Sequence, residues 1–296
     1  MTIRLGVIGL SEGNGHPYSW SAIFNGYNAS VMENCGYPVI PRYLEQQVWP
    51  ESQINNAKVV AIWTQDIELS QHIATASHIE HVMVDYTDMI GQVDAILLAR
   101  DDAQNHIYYA EPFLRAGLPI YIDKPIALSE KELERIYALE QYPGQIFTCS
   151  ALRFSQQLIL TEADRQQLGP IKQITAFTPK SWSKYAVHII EPVLNMLSEE
   201  DTPTEIVSPL SIDDSGSLIV RWQSGIQTNF FALGEGLAPL SIRVSGTNGF
   251  KDLNFTDSFS AFKAALQAFI NGIEQTKIAS KKSFNKQVVK LLESGL

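Results

Sequence analysis

Short aliphatic runs recur through the first half of the chain, at 3–10, 58–64, 82–84, 94–99, 119–123 and 145–149, each reading as a strand buried on both faces. Between them lie helical stretches at about 17–26, 67–77, 103–116 and 129–140, the last opened by Ser129 and Glu132 at capping-box spacing. Strand then helix, repeated, predicts a parallel sheet covered on both faces. Past residue 150 the pattern changes. A helix is expected at about 155–168, then strands at 217–223 and 226–233 around Ser224 and Gly225, and another at 240–245 before a turn at Thr247, Asn248 and Gly249. These strands predict an antiparallel sheet. Phe259, Phe262, Leu266, Phe269 and Ile273 fall at helical spacing, so an amphipathic helix is expected to cover one of its faces.

The fold class expected is therefore α/β: a Rossmann-type doubly wound parallel sheet over residues 1–150, then an α+β domain with a mainly antiparallel sheet over 151–296. Residues 27–56 fit neither half, because Pro38, Pro41 and Pro50 among Tyr37, Tyr43 and Trp49 forbid a long regular element. They read as a packed connection, with a lid or subunit contact as the alternative.

Composition narrows the partners. With 22 basic and 32 acidic side chains, the formal charge of -10 repels phosphate backbones and anionic lipid, so neither nucleic acid nor a membrane is expected. The densest basic cluster, Lys277, Lys281, Lys282 and Lys286, reads as a solvated helix end. Cys35 and Cys149 support neither a disulfide framework nor a zinc site, and no targeting segment is visible, so a cytoplasmic location is expected.

Candidate chemistry begins where the first strand runs into Gly9, Ser11, Gly13, Asn14 and Gly15, with Pro17 standing at the start of a helix. A strand, a glycine-rich turn and a helix amino terminus cradle a pyrophosphate, because free N–H groups and the helix dipole face the anion. The spacing departs from G-x-G-x-x-G, with Ser11 in the middle position and Gly13 or Gly15 in the third. After the second strand, Thr64, Gln65 and Asp66 are the candidate adenosine contacts, and the choice between NAD and NADP stays open. Arg100, after the fourth strand, is a further candidate cofactor contact. Asp123, Lys124 and Pro125 follow the fifth strand, which puts Lys124 at the carboxyl edge of the sheet, where open parallel sheets bind ligands. The plain alternative is a surface lysine at a strand end.

Together these motifs resemble the Gfo/Idh/MocA oxidoreductase family. Asp123, Lys124 and Pro125 look like its Glu-Lys-Pro motif, approached through Ala110, Leu114, Ala116, Gly117, Leu118 and Pro119. Asn105 and His106 resemble the pair after its fourth strand, Arg153 and Phe154 the pair after its sixth, and Ser245, Gly246, Thr247 and Gly249 a turn in its second sheet. The resemblance implies a nicotinamide dinucleotide held in part by His106, Asp123 and Lys124, and a homodimer or homotetramer. It also implies a substrate site with an aspartate four residues before a histidine. Here His188 matches the histidine, and Lys184 stands in the aspartate's place.

A histidine suits the proton transfer that accompanies alcohol oxidation. Helical spacing sets Lys184 and His188 on one face, where the lysine charge disfavours the imidazolium and keeps His188 available as a base. Lys124 shares in that transfer, and Arg153, Trp182, Lys184 and Tyr185 complete the candidate substrate site. His188 reads alternatively as structural, Lys184 as a solvated surface residue, and Trp182 and Tyr185 as packing. His188 and Glu191 lack further ligands, so no metal is expected, and His72, His78 and His81 read as a polar face. The expected activity is hydride transfer between nicotinamide and a hydroxyl-bearing carbon of a sugar, cyclitol or sugar derivative. The competing readings are a binding-only sensor of the same fold and a reductase of C=N or C=C bonds.

Overall fold

The computed structural model describes residues 2–209 and 214–296. They form two compact units, the first comprising residues 1–127, 131–148 and 265–281, the second 128–130, 149–264 and 282–296.

The first unit runs β1 (Ile3–Ile8), α1 (His16–Asn25), α2 (Ala29–Met32), α3 (Val39–Glu45), β2 (Ala57–Trp63), α4 (Ile67–Ala76), β3 (His81–Val82), β4 (Ala95–Leu98), α5 (His106–Arg115), β5 (Ile120–Ile122), α6 (Glu130–Tyr137) and β6 (Ile146–Phe147). All six strands are parallel in the order β3-β2-β1-β4-β5-β6. That is the doubly wound order of dinucleotide-binding domains, with the reversal beside β1. Every residue of β4 and β5 is buried, which is why these strands read as unbroken apolar runs. The register pairs Ile8 with Trp63 and with Leu98, and Leu98 with Ile122. The glycine turn, Thr64, Arg100 and Lys124 therefore leave the sheet at one edge. Residues 27–56 hold only α2, capped by Asn28, and the short α3.

The second unit runs α7 (Glu162–Leu168), β7 (Ile171–Thr178), α8 (Trp182–Tyr185), α9 (Val187–Met196), β8 (Pro203–Val207), β9 (Gly216–Trp222), β10 (Gln227–Ala232), β11 (Ser241–Gly246) and β12 (Phe250–Asn254), with α10 (Ser258–Gln275) and α11 (Lys282–Ser294) following. Its sheet, β12-β11-β7-β10-β9-β8, is antiparallel except where β10 runs parallel to β7. Ile174, Leu218, Val220, Phe230 and Val244 bury one face against Ile190 and Val193 of α9 and Leu291 and Leu292 of α11.

Two expectations are corrected. The helix expected from 155 begins at Glu162, because Thr161 caps it and forms a capping box with Asp164. The helix expected to cover the second sheet belongs to the first unit from Ala265 onward, where the Phe269 ring lies 5.5 Å from Phe147 and 5.7 Å from Tyr121.

Candidate active site

At the carboxyl edge of the first sheet, Asp123 is the hub. Its side chain is 1% exposed, yet it accepts from His16 Nδ1 at 2.6 Å, from the Asn14 amide at 2.8 Å and from the backbone N–H of Lys124 at 2.7 Å. Burial pushes this carboxyl up, but the charge and hydrogen bond of His16, with Lys124 and Asn14, outweigh it and hold Asp123 down to about 2. The His16 ring stacks on Trp20 at 4.8 Å, and Trp20 stacks on Tyr121 at 4.7 Å, so a column of rings fixes the imidazole. Neither His16 nor this column was anticipated from the sequence. A histidine opening a helix after a glycine turn, in the run Asn14, Gly15, His16, is the signal that marks it.

Lys124 is nearly buried, with Nζ 3.7 Å from the Asp101 carboxylate. Asp101 in turn explains Ser11. The Ser11 hydroxyl donates to Asp101 at 2.7 Å and accepts the Asp101 backbone N–H at 3.0 Å, a reciprocal pair that glycine cannot make.

The glycine turn keeps donors for an anion. Among the described residues the backbone N–H groups of Ser11, Glu12 and Gly13 meet no acceptor, and a Cβ placed on Gly13, at φ +78°, would meet nothing within 4 Å. The first turn of α1 contributes less than the sequence suggested, since the His16 N–H is taken by the Asn14 side chain and Pro17 has none. These donors and the open space at Gly13 fit a dinucleotide pyrophosphate.

The residues expected to touch adenosine and the rest of the cofactor are engaged within the protein. The Thr64 hydroxyl bonds the Asp66 carbonyl and Ser70, the Gln65 amide clasps Leu10 through both its N–H and its carbonyl, and Asp66 caps α4. Arg100 forks onto Asp102 at 2.9 and 2.7 Å, donates to the Leu10 carbonyl and lies over Tyr109. His106 is fully buried, with its ring nitrogens on the carbonyls of Arg100 and Ile126, so it ties two loops together instead of facing a ligand.

In the second unit, the backbone between α8 and α9 stays helical at Ala186, so Lys184, Tyr185 and His188 follow one another nearly as a single helix presents them. His188 Nδ1 is 2.8 Å from the Ser150 hydroxyl, its ring meets Tyr185 edge-on, and the Tyr185 hydroxyl accepts from Lys180. Trp182 is a packing residue: it is 2% exposed and donates to the Leu292 carbonyl. Arg153 is buried too, lying 3.6 Å from Glu191 and over the rings of Phe154 and Phe284.

Sequence reasoning missed Ser150 and the role of Glu191. Glu191 Oε1 accepts the Ser150 N–H at 2.8 Å, while Oε2 has no hydrogen-bond partner. Burial pushes this carboxyl up to about 7 against the pull of Arg153 and the Ser150 N–H. The folded chain thus holds a proton that the unfolded chain releases near pH 4.5, so the associated stability is complete below 4.5 and lost as pH rises through 7. The loss amounts to about 3 kcal/mol by linkage. Urea unfolding at pH 5 and pH 8 is expected to show this decline in the native protein and not in Glu191→Gln; equal declines would overturn it.

Residues 35–150 match the model of the oxidoreductase family with an NAD-binding Rossmann fold, Gfo/Idh/MocA, a match that starts beyond the glycine turn. No curated protein matches the chain in sequence. Among solved structures, myo-inositol 2-dehydrogenase from Lactobacillus plantarum superposes with a TM-score of 0.75 at 16% identity, covering 99% of this chain and 96% of that one. Scyllo-inositol dehydrogenase from Lactobacillus casei with bound NAD(H) and scyllo-inositol gives 0.72 at 15% identity, with coverage of 99% and 96%. UDP-N-acetylglucosamine 3-dehydrogenase from Acidithiobacillus ferrooxidans gives 0.70 at 13%, again over 99% and 96%. At these identities the likeness is one of fold. Residues 35–150 thus resemble the NAD-binding domain of the Gfo/Idh/MocA oxidoreductase family, and the chain shares the fold of solved inositol dehydrogenases over 99% of its length.

Proposed function

We propose that the protein is an NAD- or NADP-dependent dehydrogenase acting on a hydroxyl-bearing carbon of a sugar, cyclitol or sugar derivative. The observation that carries this reading is Lys124, seated at the carboxyl edge of a Rossmann-ordered sheet beside a glycine turn with unpaired N–H groups. The neighbours' names, inositol and UDP-N-acetylglucosamine dehydrogenases, support the substrate class.

Bound nicotinamide would supply the hydride acceptor. The chain's own residues do the rest. The N–H groups of Glu12 and Gly13 would hold the pyrophosphate, and Asp123, clamped by His16 and Asn14, fixes the backbone on which Lys124 stands. In the first unit Lys124 is the group assigned to the substrate hydroxyl; in the second, His188 is assigned to proton transfer and Lys184 and Tyr185 to polar groups of the substrate. Arg153 acts from behind through Glu191, and Trp182 through packing. The rings of Phe177 and Phe231, stacked at 5.2 Å and half-buried on the second sheet, support a homodimer or homotetramer.

Thermal unfolding in the presence of NAD, NADP and their reduced forms tests the cofactor assignment and its phosphate preference together. A dinucleotide at a hundred times its dissociation constant stabilises by about 2.7 kcal/mol, a rise of several degrees in Tm. No rise with any of the four overturns the reading. A binding-only sensor, which Ser11 in the glycine turn and Lys184 in the place of the expected aspartate favour, gives the rise but no turnover across a panel of polyols and sugars.

A further inference from the structure

Ser150 has no exposed surface, and its contacts are few enough to count. Its N–H donates to Glu191, which fixes the residue in place. Its Oγ receives the Leu152 N–H at 3.3 Å and lies 2.8 Å from His188 Nδ1. A serine hydroxyl has one hydrogen to give and two lone pairs to offer. The Leu152 N–H can only donate, so it occupies a lone pair. Among the described residues, the acceptor within reach of the hydroxyl hydrogen is His188 Nδ1. Leaving a buried hydroxyl hydrogen unmatched costs enough to decide between two neutral imidazole tautomers.

We infer that Ser150 is a positioning residue that holds His188 in the tautomer with its hydrogen on Nε2, so that His188 donates a hydrogen bond to the substrate oxygen and does not take its proton. The inference rests on the reading of His188 as a substrate-facing group. It reverses the role that spacing alone suggested, because an Nε2 that already carries hydrogen has no lone pair for the substrate proton. Oxidation of an alcohol must still release that proton, which passes to Lys124 in its neutral amine form.

The tautomer can be read directly, whatever the activity. In the full-length protein labelled with 15N-histidine, His188 is assigned among the six histidines by its loss in His188→Gln. At pH 8 the native protein is expected to show an acceptor-type Nδ1 and a hydrogen-bearing Nε2, and Ser150→Ala to show a mixture. Hydrogen on Nδ1 in the native protein overturns the inference, even where Ser150→Ala fails to fold. Turnover gives a second readout. Glutamine keeps an N–H donor, so His188→Gln is expected within about tenfold of native while His188→Ala falls about a hundredfold, the scale of one lost transition-state donor. Equal losses in the two mark His188 as a base and overturn the inference. Native turnover in His188→Ala removes instead the substrate-facing reading on which it rests.

Discussion

Replacing Lys124 with alanine is expected to lower turnover by about a hundredfold to ten-thousandfold, the range of a lost acid–base group, while dinucleotide affinity changes little. The expectation follows from placement. β5 pairs with β4 so that Ile122 stands beside Leu98, and the next two residues, Asp123 and Lys124, emerge beside the loop that carries Arg100 and Asp101. The Asp123 carboxylate grips the Lys124 backbone N–H, and Lys124 Nζ is steered toward Asp101, so the amine sits on a rigid mount. None of the N–H donors of the glycine turn depends on the lysine side chain. Single-turnover kinetics and a fluorescence titration with reduced dinucleotide separate the two effects. Native rates in Lys124→Ala, or a collapse of dinucleotide affinity equal to the loss in rate, contradict the assignment.

Asp123→Ala is expected to be the most damaging substitution for stability in the first unit. Removing one partner of a buried ion pair costs about 3–5 kcal/mol, because the other partner is left uncompensated. Here the partners are His16 and the Asn14 amide. The same carboxylate sets an acid limit. Held near 2 in the fold against an ordinary 3.8, it contributes stability that is present above pH 3.8 and lost as pH falls through 2. Linkage puts the contribution at about 2 kcal/mol. Urea unfolding at pH 7 and pH 3 checks both statements: native protein loses stability on acidification that Asp123→Asn does not. A variant as stable as native at pH 7 contradicts the role of hub.

The parallel sheet was legible because strands buried on both faces must be apolar throughout, and runs such as Ala95–Leu98 have no other reading. The second sheet was legible only at its tight turns. Its central strand Ile171–Thr178 escaped notice because Lys172 near its exposed start, and Gln173 and Thr175 on the face turned from the core, interrupt it. Ile174, Ala176 and Thr178 carry the burial on alternate positions, but β8 and β12 have too few such positions to stand out. At the candidate site, Lys124 and His188 were found because motif and spacing name them. His16, Ser150 and Glu191 were not, because their significance lies in partners distant in sequence: Asp123 for His16, His188 and Glu191 for Ser150. Local sequence equally could not reveal that Gln65 and Asp66 spend their polar atoms on Leu10 and on the cap of α4.

The most direct measurement is a crystal structure of the protein soaked with NAD or NADP. The account predicts a pyrophosphate on the N–H groups of Glu12 and Gly13 and a nicotinamide ring facing the Lys124 amine. A ring from which that amine is turned away, or a glycine turn left empty at saturating dinucleotide, contradicts it.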